Sequence, residues 1–206
     1  MGKNVITVTR QFGSLGRKIA RRVAENLGYA YYDRDIIELA VSEMHGDISE
    51  LEAFEGQHIT PFEKMIYPLG MGNAHMKRAL FEMERSVMVE LASRQNCVIV
   101  GRCADYVLHK YGINSDRRLS VYIYAPIEKR LDRCKEELGI EAPGEAYRYL
   151  TKVDKARETF YKNYTKMTFD SNKYRHLMID SSIADVDRVA EIITAAAKAK
   201  FGQEGE

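Results

Sequence analysis

Five β-branched residues in succession, Val5-Ile6-Thr7-Val8-Thr9, run directly into the loop Arg10-Gln11-Phe12-Gly13-Ser14-Leu15-Gly16-Arg17. A run that short and that branched reads as a buried strand. Behind the loop, apolar residues recur at Ile19, Ala20, Val23, Ala24 and Leu27, one stripe of an amphipathic helix that Gly28 would end. Strand, glycine loop and helix in this order place the chain among α/β sheets. They also make an anion cradle, because glycines let backbone N–H groups converge and the helix start adds unpaired donors and a positive dipole end. A plain tight turn is the competing reading of the same residues.

The arrangement repeats along the chain. Tyr29-Ala30-Tyr31-Tyr32 and Cys97-Val98-Ile99-Val100 predict a second and third strand, residues 119–125 a fourth and residues 176–179 a fifth. Asp33-Arg34-Asp35 opens a helix to about residue 44, and Met76, Ala79, Leu80, Met83, Val87 and Leu91 keep helical spacing up to Arg94. A short helix should follow Gly101-Arg102. Ile127, Leu131, Cys134 and Leu138 make an inward stripe behind Pro126, and a long basic helix covers 145–167. Ser182 with Asp185 resembles a capping box for the last helix, with Val186, Val189, Ile193 and Ala197 as its buried stripe. Residues 46–74, with Pro61, Pro68 and Gly70-Met71-Gly72, read as loops and short helices. Five strands alternating with helices imply right-handed crossovers and a five-stranded parallel sheet with helices on both faces. Ligands of such sheets bind beyond the carboxyl ends of the strands. At 206 residues, the chain fits one domain over 1–206.

Composition removes several alternatives. Thirty-one Lys plus Arg against 30 Asp plus Glu leave a net charge of +1, so neither nucleic acid nor an anionic membrane is called for as a partner. Cys97, Cys103 and Cys134 are odd in number and form no C-x-x-C pair, which argues against a disulfide framework or a zinc knuckle. The five histidines show no H-E-x-x-H spacing, so no metal site is assigned. The first residues lack a signal-peptide apolar core and no run of 18 apolar residues follows, so a cytoplasmic protein is expected. The methionines between residues 65 and 88 suit either a core or a homodimer contact.

The stretch ITVTRQFGSLGRKIARRVAENLGYAYYDRDII resembles the start of the cytidylate-kinase-like family, within the P-loop nucleoside monophosphate kinases. Val100-Gly101-Arg102 sits where cytidylate kinases carry an acidic residue-Gly-Arg turn. Ala125-Pro126-Ile127-Glu128-Lys129-Arg130-Leu131-Asp132-Arg133 resembles their A-x-x-E-x-R-x-x-R helix start, and YRHLMIDSS falls on the last strand. The resemblance runs in order over residues 3–199. It implies a three-layer P-loop kinase fold, with residues 46–95 as a variable helical acceptor-binding region and 139–168 as a lid-like region. It also implies transfer of a phosphoryl group from ATP to a small acceptor, a nucleoside monophosphate such as CMP, with Mg²⁺ held mainly through the nucleotide.

On that resemblance Gly13, Ser14, Leu15, Gly16, Arg17 and Lys18 form the phosphate loop, with Arg130 and Arg133 as further phosphate ligands. Arg17, Arg102 and Arg157 are the candidates for catalysis, and Asp33, Arg102, Asp154 and Arg157 for acceptor binding. The loop departs from the Walker pattern G-x-x-x-x-G-K-[ST]. Arg10 stands at the first Gly, Gly16 at the Lys and Lys18 at the hydroxyl, while the subfamily's own loop reads R-Q-x-G-S-x-G-R. Arg17 would replace the Lys by bidentate contact, or it is a solvated first-turn arginine. Arg130 would reach phosphate, or pair with Asp105 or Asp154. Asp33 would face metal or acceptor, or cap its helix. Because the Lys and the hydroxyl are displaced, a nucleotide-binding module without efficient turnover is the second functional reading.

Overall fold

The structure, a computed structural model, describes residues 2–37, 74–101 and 103–202. Its strands are β1 Val5–Arg10, β2 Ala30–Tyr32, β3 Cys97–Val100, β4 Arg118–Tyr124 and β5 Leu177–Asp180. They form one parallel sheet in the order β2-β3-β1-β4-β5. Val5 lies opposite both Cys97 and Arg118, so the strand that feeds the glycine loop is the centre of the sheet. The helices are α1 Gly16–Leu27, α2 Ala74–Arg94, α3 Ala104–Lys110, α4 Ile127–Leu138, α5 Pro143–Thr165 and α6 Val186–Phe201.

The two-residue alternation of the strands divides the core. Ile6, Val8, Val98 and Val100 pack on one side with Ile19, Ala20 and Val23 of α1 and Val189, Ile193 and Ala197 of α6. Val5, Cys97 and Ile99 face the other side, against Phe81, Val87 and Met88 of α2, Val107 and Leu108 of α3 and Tyr161 of α5. Each fully buried Val, Ile or Leu adds about 1.5–3 kcal/mol over an exposed one, so the two clusters hold the layers. α1 therefore leaves β1 toward one face while α3 leaves the neighbouring β3 toward the other. That divergence opens a crevice at their carboxyl ends.

Several predicted boundaries shift. The long basic helix begins at Pro143, whose fixed φ suits a first turn, and ends at Thr165. The last helix is capped by Asp185 alone, which accepts the Arg188 N–H at 2.9 Å. Ser182 is not its cap, because its own N–H donates to Asp180 at 2.8 Å and holds it in the preceding turn. Gly28 does end α1, at φ 65°. The helix predicted after Asp33 is present at residues 34–37; its remainder, and all but the last residue of the loop-rich stretch 46–74, lie outside the described residues. So does Arg102.

Two histidines tie down the strand ends beside α6. The Ser120 N–H donates to His176 Nδ1 at 2.9 Å, and Arg118 donates to His109 Nδ1 at 3.1 Å. Both bonds need a neutral imidazole. Desolvation first, and then nearby cations including Arg118, hold both rings below the ordinary value of 6.5. Between the two values the unfolded chain carries the extra protons, so stability is lost as pH falls below about 6.5. The unfolding midpoint should therefore decline from about pH 7.5 to about pH 5.5 in thermal melts, and His176→Gln should flatten that slope.

Candidate functional site

A cavity of about 470 Å³ occupies the crevice. Its wall is the glycine loop from Arg10 to Lys18, closed by Val100, Gly101 and Cys103 after β3 and by Arg157, Phe160 and Tyr161 of α5. Gly13 adopts φ 70°, and a Cβ there would stand 3.0 Å from the Arg130 carbonyl oxygen. Leu15 has φ 56°, a conformation costing a non-glycine residue about 1–2 kcal/mol. Its side chain packs against the α1–α6 core, which offsets that cost. Helix α1 starts at Gly16 with no side-chain cap and no acid in its first turn, so its free N–H groups face the loop.

The loop is held from below by α4 and α5. The Phe12 ring enters a small cluster with Cys134, Ala146 and Leu150. Asp154 accepts the Phe12 N–H at 2.8 Å and forms a buried ion pair with Arg130, which also donates to the Phe12 carbonyl at 3.3 Å. Arg133 donates to the Gly13 carbonyl at 3.0 Å and to Ser181 Oγ at 3.2 Å. Arg157, one helical turn beyond Asp154, donates to the Arg10 carbonyl at 3.3 Å. The Ser14 hydroxyl donates to the Gln11 carbonyl at 2.9 Å, closing the turn.

These contacts sort the residues expected from sequence. Gly13, Ser14, Leu15, Gly16, Arg17, Lys18 and Arg157 all line the cavity. Arg130, Arg133 and Asp154 do not. Their polar groups are engaged on the loop's own backbone and on each other, so Arg130 and Arg133, expected as phosphate ligands, and Asp154, expected as an acceptor ligand, lie beneath the loop. Arg130 pairs with Asp154, one of its two alternative partners. Asp33 caps the helix that opens at Arg34, accepting the Ile36 N–H at 3.4 Å, while its other oxygen stands 3.6 Å from Arg17. Arg17 is half exposed at the rim and lies 3.7 Å from Asp35 as well.

The electrostatics of the cavity are one-sided. Arg10, Arg17 and Arg157 converge on it, and burial followed by mutual repulsion lowers the pKa of Arg10 well below the usual arginine value. Burial pushes Arg157 down to about 10, with Asp154 opposing the shift. Guanidinium groups still carry their charge at neutral pH, so the site suits a polyanion.

Arg10 was not anticipated as a site residue. The signal available was a basic residue at the position of the first Walker glycine. A second unforeseen feature is the floor. Asp105, fully buried after β3, accepts from Thr9 at 3.2 Å, from Tyr161 at 3.0 Å and from the Tyr106 N–H at 2.9 Å. Burial raises its pKa, and Arg175, stacked 4.1 Å over the Tyr122 ring, opposes that rise. These groups meet only through the fold, and no local pattern marks them.

The cytidylate kinase-like family model matches residues 5–183. A cytidylate kinase of Methanocaldococcus jannaschii is 27% identical over 194 residues, covering 93% of this chain and 96% of that one. Among solved structures, a protein from Eubacterium ventriosum superposes with a TM-score of 0.73 at 18% identity, covering 96% of this chain and 99% of its own. A shikimate kinase from Bacteroides thetaiotaomicron gives a TM-score of 0.54 at 14% identity, covering 95% and 98%. These two likenesses concern the fold, which is that of the P-loop kinases.

Proposed function

The chain belongs to the cytidylate kinase-like family, and from that premise we propose that it transfers the γ-phosphoryl group of ATP to a small acceptor, a nucleoside monophosphate such as CMP. The observation that carries this reading is the convergence of three arginines and an uncapped helix start on one cavity at the carboxyl end of the central strand. Phosphoryl transfer asks a protein for positioning and for positive charge on the moving group more than for covalent chemistry. Gly13, Ser14 and Gly16 would cradle the donor phosphates through backbone N–H groups, Arg17 would reach them from the rim, and Arg157 would neutralise charge on the group in flight. Arg102 stays in the proposal on its sequence position alone.

Few protein oxygens are free for Mg²⁺. Asp33 and Asp35 both face Arg17, Ser14 is turned toward Gln11, and among the described residues no three His, Cys, Asp or Glu side chains cluster as ligands. In this reading the phosphates of the nucleotide carry the cation. The second reading, nucleotide binding without efficient turnover, is favoured by one observation: Gly16 and Lys18 stand where the Walker lysine and hydroxyl belong.

The deciding experiment measures ADP formation from Mg-ATP, alone and with CMP, dCMP, UMP, AMP and GMP, with shikimate and a hexose as parallel acceptors. ADP that depends on a nucleotide supports the proposal, and dependence on shikimate or the sugar would replace the acceptor class. Binding of ATP without ADP from any acceptor would favour the second reading.

A further inference from the structure

We propose that Arg10, ahead of Arg17 at the rim, is the main cation that grips the terminal phosphates of the donor nucleotide in this loop, an inference that rests on the phosphotransferase reading above. Arg10 is the last residue of the central strand β1 and its side chain lines the cavity. The surrounding backbone leaves room for that side chain. A Cβ on Gly16 would stand 2.6 Å from Arg10 Cβ, and one on Gly101 would stand 2.3 Å from Arg10 Nη1. Gly101 also holds φ 86°, a conformation that side chains rarely adopt, so the turn after β3 leaves the space beside it to the guanidinium.

The neighbouring cations differ from Arg10 in what they already hold. Arg17 is half exposed and faces Asp33 and Asp35, Arg157 donates to the Arg10 carbonyl, and Arg130 and Arg133 are engaged beneath the loop. The Arg10 guanidinium has no hydrogen bond or ion pair to a protein acceptor among the described residues. Burial, and then the facing Arg157 and Arg17, depress its pKa, with Tyr31 and Asp33 opposing only part of that shift. A cation so placed is poorly compensated until an anion enters. The first-turn N–H groups of α1 lie near its stem, because a Cβ added to Gly16, the first residue of α1, would meet Arg10 Cβ. Phosphate oxygens set between the two would satisfy both. On this view a planar guanidinium rising from the strand end takes over the work that a lysine one residue into the helix does in the Walker loop.

The test compares wild type, Arg10→Gln and Arg17→Gln for binding of ATP and of inorganic tripolyphosphate by titration calorimetry, with thermal melts of each free protein. The expected result is about a 100-fold loss of tripolyphosphate affinity for Arg10→Gln and no more than about 10-fold for Arg17→Gln. The free Arg10→Gln protein should melt at or above the wild-type temperature, since a poorly compensated charge has gone. A merely structural arginine would instead lower that temperature. If wild type binds and Arg10→Gln binds equally well, the inference falls while the phosphotransferase reading stands. If wild type binds neither ligand, both fall. Should Arg10→Gln fail to fold, phenylglyoxal labelling of the wild type decides by peptide mass spectrometry. Protection of Arg10 by tripolyphosphate supports the inference, and equal labelling with and without it overturns the inference.

Discussion

Arg157→Gln is expected to lower kcat/KM for phosphoryl transfer by about 10³-fold while leaving the melting temperature within a few degrees of wild type. Arg157 lines the cavity from α5, and it gives the protein frame a bond to the Arg10 carbonyl and a cation–π contact 5.6 Å over the Phe12 ring. Removing it loses a bond worth about 1 kcal/mol, a cation–π contact of about 0.5–1 kcal/mol and the attraction of Asp154, and it relieves burial of a charge and repulsion toward Arg17 and Arg34, so the net change in stability is small. In the proposed role of Arg157, the transferred phosphoryl group would in contrast lose a cation in a crevice where charge is less screened than in bulk water. Steady-state kinetics with the acceptor that the ADP assay selects, set beside melts of the same preparations, make the check. A wild-type rate would take Arg157 out of the mechanism.

Asp154→Ala should be the most destabilising single change near the site. Asp154 and Arg130 are both buried, and the carboxylate also anchors the Phe12 N–H. Deleting it leaves a guanidinium buried without its counter-charge, at about 3–5 kcal/mol. For a chain of this size that corresponds to roughly 6–20 °C in melting temperature. Arg130→Met added to Asp154→Ala should recover most of the lost stability, because no unpaired charge then remains. It should not recover turnover, since the Phe12 N–H still lacks its acceptor and the loop has lost its Asp154 anchor on α5. Denaturant unfolding of the two variants separates the cases. Equal instability of single and double variants would show that the buried charge is not what the single change exposes.

The strands, their order along the chain and the loop were legible because each is a local pattern. Val5 to Thr9 is branched at every residue, Ile19, Ala20, Val23 and Ala24 fall on one helical stripe, and Gly28 stops it. The glycines of the loop were equally readable, since backbone freedom belongs to the residue type. The site's polar residues were less so. Arg130, Arg133, Asp154 and Arg157 are all basic or acidic residues near one cleft, and their spacing alone does not tell which side chain points into the cavity and which turns beneath the loop.

That division is a matter of direction and of partners distant in sequence. Asp154 meets a backbone N–H 142 residues away, and Arg133 meets a carbonyl 120 residues away. Only the packing of α4 and α5 on the loop turned these residues into struts and left Arg157 facing the cavity. Arg10 reads as the first residue of the glycine loop in sequence; the placement of Gly16 and Gly101 around its side chain is what makes it a candidate ligand. The sequence by itself determined the alternating strands and helices and the glycine loop, because hydrophobic period and backbone freedom are local properties. The tertiary structure decided which cations meet an anion and which meet the protein, because charge compensation depends on neighbours that only the fold supplies.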